Sequence, residues 1–264
     1  MLMAVKNQIK VMFLSIKYNI MRQMTNKVTF ITNILFMILN NATFIIQWII
    51  LFSIKEDIGG YTFKEVLLIW GFASSTYGVA HIAFCKAFSL PELIINGKLD
   101  SFLVQPKNVL LGVITSDTRI SAIGDLLYGY ICLFIYGITF QNFVLFTLFS
   151  ITGGIIVSAF AVILGSLSFW LVKSDIVAES LTNAIMNFAT YPGTIFKGAI
   201  KVLLYTILPV GIANYMPADM VISFNTYNFF IIIGFTIFIC ILAFAVFYKG
   251  LKRYSSSNLM GSRI

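Results

Sequence analysis

Long stretches without a charged residue alternate with short polar breaks along this chain. Residues 28–54, 66–85, 143–172 and 227–248 are each uncharged and dominated by Ile, Leu, Phe, Val and Ala. A bilayer's hydrocarbon core is crossed by about 20 apolar helical residues, so each stretch predicts a membrane span. Two less regular stretches, 110–138 and 199–216, predict a third and a fifth span. The expected fold class is therefore all-α, a polytopic membrane protein with six transmembrane helices.

The first 27 residues follow another rule. Val5, Ile9, Phe13, Ile16 and Ile20 recur at helical spacing, while Lys6, Lys10, Lys17, Arg22 and Lys27 come with no acid. That pattern predicts an amphipathic basic helix lying in the membrane interface. The expected organisation is a basic amphipathic segment at 1–27, a transmembrane domain at 28–248 and a basic cytoplasmic tail at 249–264.

Polar residues inside the apolar stretches mark faces turned away from lipid. Asn33, Asn40, Asn41 and Gln47 do so in the first span and are candidates for a pathway or a helix interface. Small residues such as Gly71 and Gly78 predict close packing of the second span, and His81 near its end fits a packing role. Asp117, Arg119 and Asp125 stand in the third stretch at spacings unsuited to same-face pairing on one helix. They predict partners elsewhere in the fold and a part in organising the helices. Pro209 predicts a kink in the fifth span, because proline removes a backbone donor and clashes with the preceding turn. Segment 180–198 is broken by Tyr191-Pro192-Gly193 and predicts an interfacial or partly re-entrant element.

Composition sharpens this picture. Hydrophobic residues make up 59% of the 264 and charged residues 11%, too few to cover a soluble surface of this size. The net charge of +8 is explained by topology rather than by nucleic acid. In the six-span layout only Lys55 and Lys64 fall outside, and the other 16 basic residues lie on or near the inner side. Such asymmetry predicts that both termini are cytoplasmic. Cys85, Cys132 and Cys240 lie in apolar runs without a CxxC pair and read as buried hydrophobes. The sequence holds no phosphate-binding GxxxxGK[ST] loop, no HExxH and no serine-hydrolase elbow. Neither a metal site nor a cofactor bound by this chain is expected.

Five stretches carry a resemblance: "GKLDSFLVQP" at 97–106, "IGDLLYG" at 123–129, "YPGTIFKG" at 191–198, "ILPVGIANYMPA" at 207–218 and "YKGLKRYSSSN" at 248–258. In their order and placement they resemble bacterial permease subunits of ATP-binding-cassette exporters, in the second-type superfamily of drug- and polysaccharide-export-like systems. The resemblance spans about 21–258. It implies a six-helix permease in a bacterial plasma membrane, joined by an identical or related permease subunit. It also implies a dimer of cytoplasmic ATPases that binds the ATP and magnesium this chain lacks. A cytoplasmic coupling element is implied at 90–106, with Glu92, Lys98, Asp100 and Pro106 as candidate contacts. The chain departs from the pattern before its last span, where only 214–225 stand in place of a re-entrant hairpin. Two alternatives remain open: a secondary transporter or channel, and a membrane-embedded enzyme or scaffold.

Overall fold

A computed structural model describes residues 2–171 and 174–255, with side chains from residue 6 onward. Its elements are α1 (Leu2–Gln23), α2 (Lys27–Ile54), α3 (Phe63–Ala83), α4 (Leu90–Ile95), α5 (Asp100–Leu103), α6 (Val109–Ile114), α7 (Ser121–Tyr136), α8 (Phe140–Ser166), α9 (Ser174–Ala189), α10 (Gly198–Thr206), α11 (Met216–Ile222) and α12 (Thr226–Leu251). The all-α expectation matches these elements. Lys173 and the tail at 256–264, with Arg263, lie outside the described residues.

The polar breaks start the helices by satisfying free N–H groups. The Asn26 side chain accepts from Thr29 N at 3.1 Å before α2. Glu65 accepts from Thr62 N at 2.8 Å in a capping box at α3. Thr139 accepts from Asn142 N before α8, and Asn225 accepts from Tyr227 N and Asn228 N before α12.

The expectation of six spans is overturned. Among the described residues four helices are long and apolar enough to cross a membrane: α2, α3, α8 with its short extension to Phe169, and α12. The number is five if α10 and Gly211–Ile222 form one broken span. Stretch 110–138 fails as a single span because its polar centre bonds elsewhere. Thr118 Oγ1 donates to Ile82 O at 2.9 Å, and Arg119 N donates to His81 O at 3.0 Å. Both bonds tie the chain to the end of α3 and leave residues 115–120 non-helical. Helix α7 then has only 16 residues, about 24 Å at the ordinary helical rise against a hydrocarbon core of about 30 Å. Stretch 199–216 fails as a straight span because the chain bends by 77° between α10 and the following helix. Pro209 stands in that break, and a π-helical turn, Gly211–Tyr215, follows it. In segment 180–198, residues 180–189 belong to α9, a continuous helix of 16 residues, and the break follows it at Tyr191-Pro192-Gly193.

Helices α3 and α8 form the centre, with 72% and 78% of their apolar windows buried. Helix α2 stands outside them with 6% buried. The tightest pairing joins α3 to α7. Gly78 lies so close that a Cβ there would stand 2.8 Å from Leu126 N and 2.9 Å from Ala122 O. Phe72 and Phe146, with ring centroids 4.5 Å apart, fill the space between α3 and α8.

At the end of the bundle holding loop 55–62, three hydrogen bonds join distant segments. Tyr61 donates to Asp219 at 2.6 Å, Thr194 to Gly59 O at 2.6 Å, and Tyr215 to Phe188 O at 2.6 Å. Burial and the Asp219 carboxylate hold the Tyr61 phenol above its ordinary range, so it remains a donor. Tyr61→Phe is expected to cost about 1.5 kcal/mol, as for a hydrogen bond to a charged group. A thermal-unfolding midpoint of the full chain in detergent checks it, and an unchanged midpoint refutes it.

Helix α1 has three faces. Ser15 Oγ donates to Thr115 O at 2.8 Å, Asn19 donates to the same carbonyl at 3.1 Å, and Gln8 accepts from Asn108 N at 3.1 Å. This polar face docks α1 on the bundle. The apolar face is left uncovered by protein, with Phe13 70% exposed and Ile9 47%. Lys6, Lys10 and Lys17 occupy the third, exposed face. The helix is therefore amphipathic, with an exposed apolar face and an exposed face of lysines.

Candidate transport groove and coupling surface

Segment 84–108 is built as a rigid plate. Leu90, Ile94 and Leu99 have no exposed surface and pin it into the core. Gly97 turns the chain at φ +68, a conformation that other residues rarely adopt. The plate presents Glu92 and Lys98, paired at 3.0 Å and both exposed. Its rim carries Pro106, also exposed, beside Leu103 and Val104, which are 41% and 84% exposed. Asp100 faces inward against Tyr254, whose phenol is pushed up to about 12 by burial and by that carboxylate.

Two clefts lie along α9. The first, of about 450 Å³, is lined by Glu92, Arg119 and the α9 residues Asp175, Glu179 and Asn183. Arg119 donates to the Tyr77 hydroxyl at 2.7 Å, and among the described residues no carboxylate lies within ion-pair distance of it. His81 lies here between the rings of Tyr77 and Phe88, at centroid distances of 3.8 and 4.1 Å. The second cleft, of about 340 Å³, is lined by Asn41, Gln47, Trp48, Trp70, Asn187 and Tyr191, without a charged residue. Met186 borders both, so the clefts follow one another along α9. The first suits charged or strongly polar groups. The second offers aromatic faces with amide donors and acceptors.

The predicted polar residues separate. Asn41 donates to Asp125 at 2.6 Å, and Ser74 donates to the Asp125 carbonyl at 2.7 Å. Asp125 is 4% exposed, and its second carboxylate oxygen has no partner. Gln47 lines the second cleft, whereas Asn33 and Asn40 face outward from α2. Asn33, Asn40 and Gln47 are seven residues apart, which keeps them along one helix face. Asp117 and Arg119 do not bond each other. Asp117 pairs with Arg22 at 3.2 Å and Lys86 at 3.5 Å.

A family model described as ABC-2 family transporter protein matches residues 13–258. The chain belongs to the ABC-2 transporter family. No curated protein and no solved structure matches it.

The ABC-2 match identifies a transport domain rather than an enzyme. Among the described residues no group of three or more His, Cys, Asp or Glu side chains could hold a metal ion. ABC-2 transporters pair with cytoplasmic ATPases and work among lipids, so the surfaces of interest are those that face a partner. Two such features escaped the sequence. Leu103 and Val104 are exposed, whereas Leu99 and Phe102 of the same stretch turn inward. The groove face of α9 was hidden in a segment whose Pro and Gly suggested a break. Its signal was the spacing of Glu179, Thr182, Asn183, Met186, Asn187 and Thr190, which follows one helix face.

Proposed function

We propose that this ABC-2 family chain is the permease subunit of an ATP-driven exporter in a bacterial plasma membrane, with both termini cytoplasmic. It forms the substrate pathway with a second permease chain, identical or related, and is driven by a separate dimer of ATPases that binds ATP and magnesium. The observation that carries this reading is the core-anchored plate with its exposed Glu92–Lys98 pair and apolar rim. A patch of two apolar side chains beside an ion pair suits a protein partner better than water. Force applied there passes into α8 and α9 through Leu90 and Ile94. The neutral second cleft and the amide line of α2 support a pathway beside the second permease. Helix α2 carries Asn33 and Asn40 outward from an otherwise apolar surface, and a facing chain would satisfy their amides.

Affinity purification of the full chain is expected to recover a cytoplasmic ATPase. In the reconstituted complex, Val104→Asp is expected to lower ATPase activity and substrate release roughly tenfold, because a desolvated interface loses at least about 1.4 kcal/mol. The permease itself stays folded, since Val104 is on the surface. Transport by the isolated chain under an ion gradient would refute the proposal. The buried Asp125 is the one feature favouring that second reading. Loss of ion-coupled flux in Asp125→Asn would establish it.

A further inference from the structure

We propose, on the reading of the two clefts as a pathway, that the substrate is an organic amine: its N–H-bearing cation binds in the first cleft and its apolar or aromatic body in the second. Asp175 and Glu179 line the first cleft from α9, and among the described residues neither has an ion pair. Two like charges at i,i+4 on a helix repel one another. Asp175 stands in the first turn of α9, where the helix dipole favours a carboxylate. Glu179 lies a turn further on, beyond that effect. A cation bridging the two relieves their repulsion. Glu92, already paired with Lys98, adds a third carboxylate to the lining. The acids there outnumber the one guanidinium, that of Arg119.

His81 points to the same ligand independently of the acids. It is 3% exposed, held between the rings of Tyr77 and Phe88, and lines the same cleft. Its Nδ1 lies 3.3 Å from Tyr77 O. A carbonyl only accepts, so this bond places a proton on Nδ1, and in the neutral ring Nε2 is then an acceptor. Among the described residues no protein group bonds Nε2. A buried acceptor left open costs free energy until a donor meets it. The open groups of the cleft are thus acceptors, and the ligand that satisfies them carries N–H donors and positive charge together. An alkylammonium or guanidinium does so, whereas a quaternary ammonium offers charge alone. Past Met186, which borders both clefts, Trp48, Trp70 and Tyr191 wall an uncharged space. Trp48 meets the Tyr191 ring edge-on at 5.9 Å, and Trp70 lies 5.2 Å from the Phe44 ring. An apolar or aromatic body fits that space while its cation stays with the carboxylates.

The test is equilibrium dialysis of the purified full chain, in neutral-detergent micelles, against three radiolabelled probes that share one body. These are naphthylethylamine, its N,N,N-trimethyl derivative and the uncharged naphthylethyl methyl ether, with uptake by empty micelles subtracted. The native chain is expected to bind the primary amine at least about tenfold more tightly than the ether, the gain from one hydrogen bond to a charged group. The trimethyl derivative is expected to bind more weakly than the primary amine. In Asp175→Asn/Glu179→Gln the amine and the ether are expected to bind alike. His81→Phe keeps the ring stack and removes the acceptor, so it is expected to weaken the amine about fivefold and leave the ether unchanged. Gel-filtration profiles matching the native chain show that the variants are folded. Equal binding of amine and ether by the native chain would overturn the substrate class, whether or not the chain recovers an ATPase. So would a trimethyl derivative that binds as tightly as the amine, or an amine preference undiminished in either variant. Selective amine binding by a chain that recovers no ATPase would leave the site standing and sink the exporter reading instead.

Discussion

Gly78→Leu is expected to yield no folded chain from the membrane. The new side chain would begin 2.8 Å from Leu126 N and 2.9 Å from Ala122 O, both backbone atoms that no rotamer change can move. Relief requires α3 and α7 to separate, and that breaks the Ser74 bond to the Asp125 carbonyl as well. Close approach between small residues is a main source of helix adhesion in lipid, where the hydrophobic effect does not drive one helix onto another. The cost is expected to exceed about 4 kcal/mol, a large part of an ordinary stability margin. Gly234→Leu supplies the control. Nothing lies within 4 Å of a Cβ there, so its recovery by fluorescence-detected gel filtration is expected to match the native chain. Equal recovery of both variants would show that the α3–α7 contact does not hold the fold.

The second large effect is expected at Asn41. Asn41→Leu removes the side-chain donor from Asp125, a carboxylate that is 4% exposed and already has one oxygen without a partner. A buried charge stripped of its partner costs about 3 kcal/mol or more. Replacing both groups by apolar residues removes the demand as well as the supply. Asn41→Leu/Asp125→Leu is therefore expected to recover most of the loss in thermal midpoint. If the double variant is as unstable as the sum of the single ones, the bond is not what Asn41 contributes.

Stretches 28–54, 66–85, 143–172 and 227–248 were legible as spans because uniform hydropathy over 20 residues has few other causes. The failure at 110–138 has a physical origin. Hydropathy records what a segment is made of, not where its hydrogen bonds go, and residues 118 and 119 bond to the end of α3 instead of continuing a helix. Pro209 gave the place of the bend in the fifth stretch but not its 77°. At the candidate site, the amides of α2 could be recognised as unsuited to lipid. Only packing against α7 could distinguish Asn41, bonded to Asp125, from Asn33 and Asn40 on the outward face. Segment 90–106 stood out by its turn residues and charges. Its apolar rim did not, because sequence alone assigns Leu and Val to a core. The partners of Asp117 were hidden by distance along the chain: Arg22 is 95 residues away.

The outlying position of α2 sets how cheaply it can shift. A helix with little of its surface against its own chain slides or tilts while giving up few contacts within that chain. With 6% of its apolar window buried, α2 meets protein along one narrow strip, tethered to α7 by the amide–carboxylate bond of Asn41. Helix α8, at 78%, would have to tear open the centre of the molecule to travel as far. Displacement within the bilayer plane is therefore an expected soft mode of α2, with Asn41 as its latch.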